Sequence, residues 1–179
     1  IIPSLDRASK GAVLTPKELL ETASLLRSVS AIRRYPASTD DLGALEPFFG
    51  ALKEISHLER AISDAIIAED MIADTASDAL YRIRRDIRKC ESNVRDTLAR
   101  YTSGGASKYL QENIVTTRQG RYVIPVKAEW RNEIKGLVHD TSASGATLFI
   151  EPAAVVDANN ELRLLEKEEE KEIDRILYA

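Results

Sequence analysis

The chain has 179 residues, with 25 Lys+Arg against 29 Asp+Glu, a formal net charge of −4 and 44% apolar residues. That length suits one ordinary domain, or one domain with a projecting arm. The charge excludes a globally basic nucleic-acid binder but leaves room for a local basic patch. No apolar run reaches the roughly 20 residues that cross a bilayer, so no membrane partner is expected. The single cysteine, Cys90, excludes an internal disulfide and a cysteine-built zinc site. Ile1-Ile2-Pro3 lacks a methionine, and Glu170 to Leu177 is a helical pattern without a stop signal. We therefore expect a segment of a longer chain.

Residues 1–77 are expected to form a partial helical core. Thr15-Pro16-Lys17-Glu18 predicts a helix start over about 15–34: Thr15 caps, Pro16 suits the first turn, and Glu18 reaches back. Tyr35 to Asp40 breaks that helix. A second covers roughly 41–55, kinked or split at Pro47, with Leu42, Leu45, Phe48, Phe49, Leu52 and Ile55 inward. Ser56-His57-Leu58-Glu59 offers another capping box, opening a short helix to about Ile67 with Leu58, Ile62 and Ile66 on one face.

Residues 78–102 carry the clearest pattern. Leu80, Ile83, Ile87, Cys90, Val94, Thr97 and Tyr101 alternate in steps of three and four, a heptad seam. This helix has seven bases against four acids between 78 and 100. Residues 103–151 switch to period two. Ile114–Arg118, the two-residue turn Gln119-Gly120, Arg121–Ala128, Ile134–Asp140 and Ala146–Ile150 predict a four-stranded antiparallel meander over about 113–150, with Pro125 marking an edge or bulge. So small a sheet needs a helix or a partner to lean on. Residues 152–179 predict a returning helix, with seven acids against four bases from Glu161 to Arg175. Opposite charge on two helices that flank one insertion suggests an antiparallel pair. The expected fold is α+β and mainly α: a helical core bundle with a long antiparallel two-helix arm carrying a small antiparallel β-rich tip.

Enzymatic motifs are missing. There is no Walker loop, GxGxxG or HExxH, and two histidines cannot build a histidine-rich metal site. His139 and Asp140 are adjacent strand residues that point to opposite faces, so they do not make a base–orienter pair. Neither Ser142 nor Ser144 sits in a GxSxG elbow. No catalytic residue, cofactor or metal is expected in these residues. The tip is more informative. Between Lys108 and Lys135, six bases face three acids, with Tyr122 and Trp130 among them. Cations contact phosphates and aromatics stack on bases. The candidate nucleic-acid-binding residues are Arg118, Arg121, Lys127, Trp130, Arg131 and Lys135. The competing reading is that the aromatics fill the tip's own core and that the chain is a coiled-coil adaptor with a protein-binding tip.

Gly120 to Glu129, then Val138 to Pro152, and Asn159-Asn160-Glu161-Leu162-Arg163 with the acidic helix after it, closely resemble the type-2 MutS proteins, a bacterial and plastid MutS paralogue. Asp74-Thr75-Ala76-Ser77 with Ile83-Arg84-Arg85 fits as well. The resemblance implies a core domain, lever helices and a clamp inserted between the lever's halves: core 1–77, ascending lever 78–102, clamp 103–151, returning lever 152–179. It also implies an ATPase domain beyond the lever, where ATP and Mg would bind, and a terminal Smr endonuclease domain. A homodimer formed through the ATPase domains and a cytoplasmic location, or the plastid stroma in a plant, are implied too. The implied partners are branched or duplex DNA, with suppression of recombination, or stalled ribosomes through ribosomal RNA and protein.

Overall fold

A computed structural model describes residues 1–34 and 45–179. The chain is mainly helical, with two small antiparallel sheets. It divides into two compact units: residues 1–81 with 171–179, and residues 82–170. The expected break at Tyr35–Asp40 and the start of the second helix, with Leu42, lie outside the described residues.

Unit 1 contains α1 (Ile2–Ser9), α2 (Pro16–Arg34), α3 (Glu46–Ala51), α4 (Ser56–Ala65) and a hairpin of β1 (Ile66–Ala68) and β2 (Met71–Ile72). The capping box at α2 forms as expected. Glu18 N–H donates to Thr15 Oγ1 (3.3 Å), and Thr15 N–H donates to Glu18 Oε2 (3.0 Å). The second expected box does not form. Ser56 already lies inside α4, Ile55 takes the cap position without a side-chain bond, and the Glu59 carboxylate instead accepts from Arg27 and Ser63. Where a kink or a split was expected at Pro47, the described helix is the short α3, with Pro47 in its first turn, where its missing N–H costs nothing; residues 41–44 lie outside the described residues. Leu45 and Phe48 are exposed rather than inward. Ala23, Ile62, Ile66, Ile72 and Leu80 form the core, with Ile173 and Ile176 against it. The hairpin after α4 was not expected, because three apolar residues running on from a helix carry no period of their own.

Unit 2 contains α5 (Asp78–Ser103) from Arg82 onward, four strands, and α6 (Val156–Tyr178) as far as Glu170. The strands are β3 (Thr116–Arg118), β4 (Arg121–Lys127), β5 (Gly136–Thr141) and β6 (Thr147–Pro152). Their order is β3-β4-β6-β5, all neighbours antiparallel, so the expected meander is wrong in one respect: β6 lies between β4 and β5. The connection from β4 to β5 is the reason. It is a 3-10 segment, Ala128–Glu133, rather than a tight turn, so β5 need not pair with β4. Gly136 then lies against the Glu151 carbonyl so closely that no side chain fits there.

Pro125 sits within an internal strand, not an edge, opposite Phe149. It is tolerated because β3 pairs only as far as Val123, and the Pro125 carbonyl turns to that vacated side to accept Gln111 N–H (2.9 Å). The sheet does lean on a helix. Val94 and Leu98 of α5 are fully buried with Leu110, Ile124, Val126, Ile134, Ile150 and Val155. The heptad seam therefore needs correction: Ile83, Ile87, Thr97 and Tyr101 are only partly buried, and Leu98 takes the place expected for Thr97. A helix packing on a sheet keeps its 3.6-residue stripe, which drifts from a strict heptad. Within unit 2, α5 and α6 run antiparallel: Arg84 Nε donates to Glu169 Oε1 (2.6 Å), and Cys90 Sγ donates to the Ala158 carbonyl (3.2 Å). Burial, with the nearby Glu161 charge, raises the Cys90 thiol pKa.

Candidate nucleic-acid interface

The six candidate residues do not form one patch. Arg118 and Arg121 lie at the first end of β4 and Lys127 and Trp130 at the second, roughly 20 Å apart at about 3.3 Å per residue, while Arg131 and Lys135 belong to the connection that leads into β5. At the first end, Arg118 and Arg121 are cross-strand partners on the same face of the β3–β4 ladder. Like charges placed so would repel, but each has its own carboxylate. Arg118 Nε donates to Asp140 Oδ2 (3.1 Å), and its guanidinium lies 3.8 Å from the Phe149 ring centroid. Arg121 Nη1 donates to Glu151 Oε1 (2.7 Å), and Nη2 donates to Asn160 Oδ1 (2.5 Å).

Glu151 has no exposed surface, and its other contacts satisfy it. Asn159 Nδ2 donates to Oε1 (2.8 Å), and His139 Nε2 lies 2.5 Å from Oε2. His139 reaches it because the β5–β6 register slips between Val138 and Asp140, leaving His139 as the bulged residue. Asn159 also pairs with the Tyr122 backbone, accepting from its N–H and donating to its carbonyl. Continuing the β4–β6 register puts Pro152 opposite Tyr122, and proline has no N–H to offer. The Asn159 amide substitutes for the missing strand partner.

The turn before β4 completes this end. Gln119 and Gly120 both have positive φ, 51° and 71°, as a tight two-residue hairpin requires. Arg163 Nη1 of α6 donates to the Gln119 carbonyl (2.7 Å), and Gln119 Nε2 donates to the His139 carbonyl (3.1 Å). A side chain at position 120 would collide with the Arg163 guanidinium. Between turn, bulge and helix lies an open cavity of about 540 Å³, lined by Arg121, His139, Asn160, Arg163 and Lys167 together with Gln119 and Leu164.

At the second end, Lys127 Nζ donates to the Lys108 carbonyl (3.3 Å). Lys108 Nζ lies 4.9 Å from the centroid of Tyr109, and Tyr109 meets Trp130 with ring centroids 5.3 Å apart at 46°. Trp130 is 41% exposed, so it does not fill the core. Tyr122 does turn inward: its hydroxyl donates to Glu91 Oε1 (3.2 Å) under the Arg95 guanidinium. Arg131 folds back on its own loop, donating to the carbonyls of Ile134 and Gly136. Lys135 is exposed. The Lys127 end can present two ammonium groups beside the exposed Trp130, whose partner Tyr109 is half-buried against the core.

Sequence reasoning missed Glu151, Asn159, Asn160, Arg163 and Lys167, and read His139 only as a doubtful catalyst. His139 and Asp140 do point to different partners, Glu151 and Arg118, so no His–Asp pair exists. The spacing of Arg163 and Lys167, one helical turn apart within an acidic stretch, was the available signal. Among the described residues no group of His, Cys, Asp and Glu could hold a metal ion, and no helix is long and apolar enough to cross a membrane.

No protein-family model matches the chain. It does match many curated proteins along nearly its whole length. It is 48% identical over 179 residues to "Endonuclease MutS2" of Acetivibrio thermocellus, covering 97% of this chain and 23% of that protein. It is 46% identical to that of Ruminiclostridium cellulolyticum (97% and 22%) and 42% identical to that of Symbiobacterium thermophilum (97% and 22%). The chain thus spans less than a quarter of the length of these relatives. Over that span, the chain belongs to the MutS2 family.

Proposed function

We propose that this segment is the core, lever and clamp portion of a MutS-like DNA-handling ATPase that acts on branched or recombination-intermediate DNA. The β-rich part of unit 2 is the clamp that touches the nucleic acid. Helices α5 and α6 are the lever halves that link this contact to an ATPase domain elsewhere in a longer, dimeric protein, where ATP and Mg would bind. The segment itself performs no chemistry. The observation that carries the reading is the Trp130–Tyr109 pair flanked by the ammonium groups of Lys108 and Lys127. Bases stack on exposed aromatics while lysines track the backbone. The name "endonuclease" of the relatives supports nucleic acid over a protein ligand. Coupling through the lever requires two arrangements with different substrate affinity.

The test is fluorescence anisotropy with a labelled four-way junction, a linear duplex and a structured RNA over about 50–200 mM salt. With about 4–6 phosphate contacts, the log–log salt slope is expected at roughly −4 to −5. Tightest binding to the junction supports the reading, and equal or tighter binding to RNA moves the substrate to ribosomal RNA. Binding to none of the three, or binding insensitive to salt, contradicts it.

A further inference from the structure

We propose that the cavity between the Gln119-Gly120 turn, the His139 bulge and α6 is a phosphate-binding subsite, with Arg163 and Lys167 as the groups that hold the anion. This rests on the nucleic-acid reading above and adds a second contact at the far end of β4 from Trp130. Three observations support it.

First, the cavity is cationic by composition: none of its lining residues is acidic, and Arg121, Arg163 and Lys167 all line it. The Arg121 charge is matched by the buried Glu151, so Arg121 forms a fixed wall. The charges of Arg163 and Lys167 are unmatched, since neither has a carboxylate partner among the described residues. Second, two like charges at i and i+4 on one helix face repel each other, and an anion held between them relieves that repulsion. The acidic side chains that dominate this stretch of α6 do not line the cavity. Third, the site is built. Arg163 spends one nitrogen on the Gln119 carbonyl, which fixes the plane of its guanidinium fork and leaves the remaining donors for a bidentate oxyanion. The turn residue beneath it has no side chain, and Gln119 is tied to the bulge. At about 540 Å³ the open space exceeds one phosphate group.

The test compares two charge-matched double variants of the protein. Arg163→Ala/Lys167→Ala empties the cavity. Lys89→Ala/Arg100→Ala removes two exposed charges from α5 and serves as the control. All four positions are exposed on helices, where alanine is well tolerated. The cavity variant is expected to bind a labelled duplex about 10-fold more weakly at low salt, with the log–log slope flatter by about 2, while the control stays within about threefold. A cavity variant with wild-type affinity and slope, or two variants that weaken alike, would overturn the proposal.

Inorganic phosphate at constant ionic strength separates the two sources of the anion. If it displaces duplex from the wild type, the subsite also takes free phosphate; if it does not, the subsite reads the phosphodiester within a backbone. Should the wild type bind no nucleic acid, the nucleic-acid reading fails, and the thermal midpoint decides the subsite. A rise with phosphate over chloride in the wild type but not in the cavity variant upholds it, and equal shifts in both reject it.

Discussion

Unit 1 keeps its best-partnered carboxylates near the surface, and unit 2 buries one completely. In unit 1, Glu18 accepts from the Thr15 backbone, from Ser4 and from Arg7, and Glu172 accepts from Arg175 and Ser77. In unit 2, Glu151 sits with no exposed surface between Arg121, Asn159 and His139. Surface pairs are individually weak and separately removable. A buried charge is conditional: with every partner in place it is tolerated, and with one missing it is a large penalty. The helical unit should therefore degrade gradually under mutation, whereas the sheet unit should fail at one residue.

Arg121→Ala is the most severe way to break this contrast. It leaves Glu151 buried without its cation and should cost about 3–5 kcal/mol. Trp130, the only tryptophan, lies in unit 2, so its emission during urea unfolding reports that unit. The variant's midpoint by Trp130 emission should fall well below the wild-type value. An unchanged midpoint would show that water or rearrangement compensates Glu151.

The next effect concerns how α5 packs on the sheet. Leu98→Ala removes a fully buried side chain and should cost about 2–5 kcal/mol, against about 0.5 kcal/mol or less for Thr97→Ala. The same urea series measures both, and the reverse ranking would restore a strict heptad seam.

The smallest effects belong to unit 1. Thr15→Ala should lower stability by about 1 kcal/mol through loss of the cap. The Thr15 backbone N–H and the Ser4 hydroxyl hold the Glu18 pKa at about 2, and Arg175 and then Ser77 hold that of Glu172 at about 2, both from 4.5. Each carboxylate is lowered on folding, so its contribution is full above about pH 4.5 and is lost as pH falls towards 2. Helical circular dichroism followed between pH 5 and 2 should show a gradual loss that Glu18→Gln makes shallower.

What the sequence showed depended on range. The Thr15–Glu18 cap, the Gln119-Gly120 turn and the need for a supporting helix are local features, and each is present as read. The strand order was not legible, because the pairing of β4 with β6 depends on a 3-10 connection that reads from sequence as an ordinary turn. Asn159 standing in for a strand partner was equally invisible, since the gap it fills exists only once Pro152 lies opposite Tyr122. The candidate site shows the same limit. Counting charge from Lys108 to Lys135 found Arg118 and Arg121 but ended short of Asp140 and Glu151, the carboxylates that neutralise them. Arg163 lies 44 positions from the turn it joins, so charge counting along the chain could not bring the cavity together.

The most direct test of the central claim, that the β-rich part of unit 2 is a nucleic-acid surface, is the emission of Trp130 during titration with a four-way DNA junction at about 50 mM salt. The account predicts saturable quenching that reverses as salt rises, because a stacked base sits against the indole while phosphates engage the lysines beside it. Junction binding that saturates by anisotropy while Trp130 emission stays unchanged would contradict it.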